Sequence, residues 1–180
     1  MPPRNAYHGR LGDHFARIAG SSPYNAFTDR PALLDLVGDV AGLRLLDVGC
    51  GAGHYLADLL ERGARVTGVD GSATLLGHAR ERVAEHLGAR AELRPHDLNA
   101  PLGFAEDATF DGAVCALLLP SSAAHEGRRR VSQVVGQEPE GVAAGEGGDG
   151  PEVAAVEGQH RLGVVLLGQD DVHRVRQVEP

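Results

Sequence analysis

The sequence predicts an α/β fold, a parallel sheet flanked by helices. Three observations carry that prediction. Short apolar runs alternate with stretches of helical periodicity between about residues 31 and 119. A glycine turn, "DVGCGAGHY", joins the first such run to a helix. Acidic residues close three successive runs, at Asp47, Asp70 and Asp97. In a parallel sheet those ends line one edge, where ligands of open α/β sheets bind.

Taken in order, "PALLDLVGDV" places Leu33, Val37 and Val40 at helical spacing, with Pro31 near the start and Gly42 beyond the end. Leu43 to Val48 is a short buried strand. The next helix, "HYLADLLERG", sets Leu56, Leu59 and Leu60 on one face and stops at Gly63. "ARVTGVD" is a second strand ending at Asp70. Ser72 can cap a long helix whose inner face carries Leu75, Ala79, Val83 and Leu87, closed by Gly88. "RAELRPHD" is a third strand ending near Asp97, and "FDGAVCALLL" a fourth. Strands separated by helices imply right-handed crossovers and a Rossmann-like parallel sheet.

Composition changes abruptly after residue 120. All the aromatic residues, every Thr, every Asn and the one Ile precede that point, whereas every Gln follows it. Three segments result: leader helices over 1–42, a sheet-forming half-domain over 43–120, and an atypical tail over 121–180. The tail supplies few large apolar groups, and "GVAAGEGGDG" reads as a linker. The expectation is a fold incomplete after the fourth strand, with a poorly structured or frame-shifted C-terminal tail. In a milder reading "GVVLLG" adds one further strand.

The chain has 180 residues and a formal charge of -8. All its basic residues are Arg, which excludes a Schiff-base lysine and a P-loop lysine. An acidic balance argues against nucleic acid as partner. Cys50 and Cys115 fit neither a zinc site nor a disulfide framework, so no metal is expected and a cytoplasmic setting is. No run is long enough to span a membrane. The oligomeric state is left open.

Gly49, Gly51 and Gly53 stand at alternate positions after the first strand. They remove side chains between ligand and backbone and allow positive φ, and the helix behind them is expected to present free N–H groups. Asp47 beneath the loop would repel a pyrophosphate and suit an ammonium group. Asp70 is placed to accept from the vicinal hydroxyls of an adenosine ribose. Asp97 with Leu98 could read an adenine, through the carboxylate and a backbone N–H. The Gly-x-Gly-x-x-Gly fingerprint of dinucleotide sites is not matched, because Gly53 comes one position early and His54 takes the expected place.

Residues 43 to about 119 resemble the front half of a class I S-adenosylmethionine-dependent methyltransferase, and the leader from about residue 20 resembles bacterial small-molecule members. "LLDVGCGAGHY" is similar to the family's first motif, "VTGVDGS" to its second and "HDL" to its third. "FDGAVCALLL" is similar to its fourth strand. The resemblance implies S-adenosyl-L-methionine as cofactor. Its methionine end would rest on Asp47 and the glycines, its ribose on Asp70, and its adenine on Asp97 and Leu98. It implies methyl transfer to a small-molecule acceptor, impaired if the C-terminal half of the fold is missing. The alternatives are an NAD-dependent oxidoreductase and a non-catalytic cofactor-binding remnant. No catalytic base is identified: His8, His14, His54, His78, His86, His96 and His125 are candidates by type alone. His78 and His86, eight apart, read as a solvated helix face. Tyr24 is the leader residue to watch, and Arg128 to Arg130 read as a solvated charge run.

Overall fold

A computed structural model describes residues 7–23, 30–98, 100–105, 109–116 and 164–167. The elements run α1 (Gly9–Ser21), α2 (Arg30–Val37), β1 (Arg44–Val48), α3 (His54–Glu61), β2 (Arg65–Asp70), α4 (Ala73–Arg82), β3 (Ala91–Pro95), β4 (Gly112–Ala116) and β5 (Val164–Leu167). The strands form one sheet in the order β3-β2-β1-β4-β5, and every pairing is parallel. Strand order reverses between β1 and β4, so their C-terminal ends open the crevice that such sheets use for ligands.

The four expected strands form, and the apolar run "GVVLLG" supplies a fifth beside β4, in line with the milder reading. The other expectations for 121–180, including His125 and Arg128 to Arg130, lie outside the described residues, as does Tyr24.

β1 is buried on both faces from Leu45 onward, as a central parallel strand should be. Its alternate residues divide the core. Leu45 joins Val66 and Val114 against Leu33, Leu56, Leu59, Leu60, Leu76 and Val83 of the helical layer. Leu46 and Val48 join Val69, Ala113 and Cys115 beneath Leu102 and Phe110 of the β3–β4 connection.

α4 is shorter than its apolar spacing predicts. It ends at Arg82, a 3₁₀ turn follows over Ala84–His86, and Leu87 is 39% exposed instead of facing the core. Length explains this. Ten helical residues rise about 15 Å, close to the roughly 17 Å of a five-residue strand. By Arg82 the chain has run back along the sheet and must turn so that Ala91 can pair with Val66. Gly88, at φ +75°, makes that turn, and Arg90 closes it by donating to the Leu60 carbonyl at 2.7 Å.

Gly68 is a packing requirement that no local pattern announces. It lies beside Asp47 in the register. A Cβ there would sit 2.5 Å from Leu56 Cδ1, 2.9 Å from Leu93 Cδ2 and 3.0 Å from Cys50 Sγ. Gly68→Val should therefore destabilise the protein by about 1–3 kcal/mol through overpacking, read as a lower urea midpoint. An unchanged midpoint would show that the neighbouring side chains yield freely.

Candidate functional site

The glycine loop follows β1 in a conformation only glycine adopts cheaply. Gly49, Gly51 and Gly53 have φ of +73°, +53° and +78°. Their uses differ. A Cβ on Gly51 would meet nothing closer than the Gly49 carbonyl at 4.0 Å, so its open side is available to a ligand. A Cβ on Gly53 would lie 3.0 Å from Ala79 Cβ, so that glycine lets the start of α3 approach α4.

The loop's own amides, as distinct from those of the helix that follows it, are spent within the protein. Gly49 and Cys50 donate to the Val69 carbonyl at 2.7 and 3.0 Å, and Gly53 donates to the Cys50 carbonyl at 2.9 Å. Gly51 N–H donates to Asp70 Oδ2 at 3.0 Å. A phosphate cradle needs such donors aimed outward, and these four are aimed inward.

Asp70 closes β2 and clamps two turns at once. Its Oδ2 takes the Gly51 amide, and its Oδ1 takes the Ser72 amide at 2.7 Å. Burial raises its pKa, against the lowering effect of these two hydrogen bonds. Each carboxylate oxygen keeps a second lone pair, so the group can still accept from a ligand. Ser72 caps α4 as its position predicts, accepting from Leu75 N–H at 3.2 Å.

Asp47 is 2% exposed, and its Oδ2 has no hydrogen-bond partner among the described residues. Burial, and then the nearby charge of Asp70, push its carboxyl up to about 7. The same two acids and burial hold the Cys50 thiol neutral, which removes it as a nucleophile. Asp97 is exposed just past the end of β3, where the His96 amide is tied to the Asp70 carbonyl at 3.0 Å. Leu98 is half-buried against the Leu46 and Phe110 side of the core. Asp47, the glycines and Asp70 thus form one connected unit, with Asp97 and Leu98 beyond the neighbouring strand end.

The histidines divide. His54 opens α3 beneath Gly20 of α1, with its Nε2 3.3 Å from an Arg82 nitrogen. Burial, then Arg82 and Arg30, lower its pKa to about 4, so it is neutral at physiological pH. His78 keeps a third of its side chain exposed, and its Nε2 meets Asp13 Oδ1 at 2.9 Å, tying α1 to α4. His86 lies in the 3₁₀ turn, outside α4, because α4 ends early. His14 is exposed on α1, and His96 packs edge-on against Phe104. A cavity of about 620 Å³ opens toward the opposite edge of the sheet, lined by Arg44, Arg65, Arg94, Phe104 and Phe110 among others. It touches neither Asp47, nor Asp70, nor the glycine loop. Among the described residues no group of three or more His, Cys, Asp or Glu could hold a metal ion.

Comparison with known proteins gives a consistent result. The family profile described as "Methyltransferase domain" matches residues 45–137, past the composition change at residue 120. The ubiquinone biosynthesis O-methyltransferase of Methylocella silvestris is 36% identical over 118 residues, covering 66% of this chain and 41% of that protein. The chain thus spans about two-fifths of that curated relative. Among solved structures, a Methanococcus maripaludis protein assigned as an S-adenosyl-L-methionine-dependent methyltransferase superposes with a TM-score of 0.59 at 14% identity. That match covers 75% of this chain and 62% of the other. The geranyl diphosphate C-methyltransferase of Streptomyces coelicolor, solved with S-adenosyl-L-homocysteine, gives 0.53 at 19% identity, with 59% and 40% covered. These two likenesses establish the fold, and the profile match over more than half the chain establishes the lineage. The chain belongs to the class I S-adenosylmethionine-dependent methyltransferase family.

Proposed function

We propose that this chain binds S-adenosyl-L-methionine at the C-terminal edge of β1 and β2 and serves methyl transfer to a small-molecule acceptor. One observation carries the reading: a fully buried carboxylate with an unpartnered oxygen, Asp47, lies beneath a glycine loop whose amides already donate inward. That donor set suits the ammonium end of an amino acid and not a pyrophosphate. The open side of Gly51 gives the methionine portion room, and Asp70 offers its remaining lone pairs to the ribose hydroxyls. Asp97 and Leu98 take the adenine side in the same proposal.

The cofactor supplies an electrophilic methyl group on a sulfonium. The chain's own residues contribute position and exclusion of water. In this reading Asp47 holds the amino-acid end of the ligand and Asp70 its ribose, and Val48, Val69 and Leu102 belong to the apolar core behind the strands that carry those acids. Two similar proteins, one from ubiquinone biosynthesis and one a geranyl diphosphate C-methyltransferase, support a small-molecule acceptor, although a ribosomal RNA small subunit methyltransferase is among the relatives as well. A cytoplasmic setting, without nucleic acid as substrate, is supported by the acidic balance and by two buried free cysteines. Among the described residues no helix is long and apolar enough to cross a membrane.

The test is a thermal-shift comparison of S-adenosylhomocysteine with NAD. At a hundred times its Kd, a ligand that binds only the folded state adds about 2.7 kcal/mol. For a protein of this size that raises Tm by several degrees. The homocysteine ligand should produce that rise and NAD should not. A larger shift with NAD would overturn the proposal in favour of an oxidoreductase.

A further inference from the structure

The residues that lead into α1 lie against the turn after β2, and hydrogen bonds hold them there on both sides of His8. Ser72 Oγ donates to the Tyr7 carbonyl, and Gly9 N–H donates to Thr74 Oγ1 at 2.9 Å. The Tyr7 ring stacks on Phe15 at 4.4 Å between centroids. α1 is fastened to α4 by the Asp13–His78 contact, and Gly12 lies so close to Thr74 that a Cβ there would come within 3.0 Å of its methyl. His8 is therefore fixed in place by its flanks, while its imidazole does something different from packing. Its Nε2 is enclosed and has no hydrogen-bond partner among the described residues. Ser72, which holds the Tyr7 carbonyl, also donates its amide to Asp70 Oδ1 at 2.7 Å, so the backbone next to His8 is tied to Asp70 through one residue. An enclosed ring nitrogen left unpaired is costly, and a ligand that pairs it would recover that cost.

We propose that His8 is a cofactor-positioning residue whose Nε2 hydrogen-bonds the ribose held by Asp70, so that the leader segment and β2 grip one sugar. The inference rests on the reading that Asp70 takes the ribose. The chemistry of the pair is complementary. An ionised carboxylate only accepts, whereas an imidazole N–H donates. A ribose hydroxyl can donate to Asp70 and accept from His8 at once, and a deoxy sugar or an apolar group cannot. The arrangement also makes docking of α1 part of the binding site, because His8 stays beside the turn after β2 only while Tyr7 and Gly9 are held at Ser72 and Thr74.

The experiment is calorimetric titration of the full chain with S-adenosylhomocysteine and with its 2′-deoxy and 3′-deoxy counterparts. It compares wild type, His8→Phe and His8→Gln. Phe fills the space and removes the nitrogen, and Gln restores a donor. His8→Phe should bind S-adenosylhomocysteine about tenfold more weakly and should discriminate less against at least one deoxy analogue. His8→Gln should recover part of both. A purely structural His8 would weaken all three ligands equally, and that result, or unchanged affinity in His8→Phe, would overturn the inference. If His8→Phe does not fold, the imidazole Nε2 resonance of wild type decides: it should shift on ligand addition, and a fixed resonance would overturn the inference. Failure of wild type to bind S-adenosylhomocysteine at all is a distinct result, and it overturns the underlying functional reading.

Discussion

Asp47→Asn is expected to stabilise the ligand-free protein above neutral pH while weakening its hold on the cofactor. In the unfolded chain the carboxyl titrates near 3.8, and in the folded protein burial and then Asp70 raise it to about 7. Between those values the folded state retains a proton that the unfolded state has released. The contribution of Asp47 to stability is therefore fully present at or below pH 4, falls as pH rises toward 7, and is lost above it. The full loss is on the order of 4 kcal/mol. Asparagine cannot ionise, so the variant should match wild type near pH 4 and show a shallower fall in urea midpoint through that window, the remaining fall coming from other carboxyls such as Asp70. Parallel profiles would mean that Asp47 is ionised in the native state at all these values. The ligand reverses the balance. An ammonium group beside Asp47 favours the carboxylate, so binding to wild type near pH 6 should release a proton. Titration calorimetry in buffers of differing ionisation enthalpy detects that release, and it should vanish in Asp47→Asn. Loss of a charge-assisted hydrogen bond should weaken binding by about tenfold to a hundredfold. A site that costs stability when empty and gains affinity when filled is the pattern expected of a functional residue.

That trade also marks where sequence reasoning reached its limit. The glycine loop, the cap at Ser72 and the four strands are written in neighbouring residues, so spacing revealed them. The run at Val164–Leu167 was legible as one more strand for the same reason. Other features depend on residues far apart in the chain. Gly68 must be glycine because of Leu56, Leu93 and Cys50, which converge only after the sheet forms. The spent amides of the loop answer to Val69 and Asp70 on the next strand. α4 stops where the sheet ends, although Leu87 continues its apolar spacing. The partner of the part-exposed His78, Asp13, comes from α1. Spacing places Asp47 at the end of the first strand, but what it lacks, a partner for Oδ2 among the described residues, is visible only in three dimensions.

Asp70→Asn should have the other large effect, because the clamp on the two turns and the proposed contact with the ribose fail together. The carboxylate accepts the Gly51 and Ser72 amides through different oxygens. Asparagine keeps one acceptor, so one of those N–H groups would face an amide NH₂. A part-buried donor left without its partner costs about 1–3 kcal/mol, seen as a lower urea midpoint. The ribose hydroxyls would lose an ionised acceptor, and affinity for S-adenosylhomocysteine should drop by about a hundredfold. These losses separate by comparison with Asp70→Ala, which frees both amides. If Ala is less stable than Asn but binds equally poorly, the affinity is carried by the charge and not by the order of the loop. If Asn binds as tightly as wild type, Asp70 is only a clamp for the turns. A third consequence links the two acids. Asp70 is the second cause of the raised Asp47 carboxyl, so removing its charge should move the Asp47 titration down. The decline in stability between pH 4 and 7 should then be shallower in Asp70→Asn than in wild type, although the variant is less stable at pH 4. Because burial also raises the Asp70 carboxyl, its own loss flattens the curve as well. The coupling is read directly from the Asp47 carboxyl resonance followed against pH: its midpoint should fall in Asp70→Asn, and an unmoved midpoint would mean that Asp70 does not act on its buried neighbour.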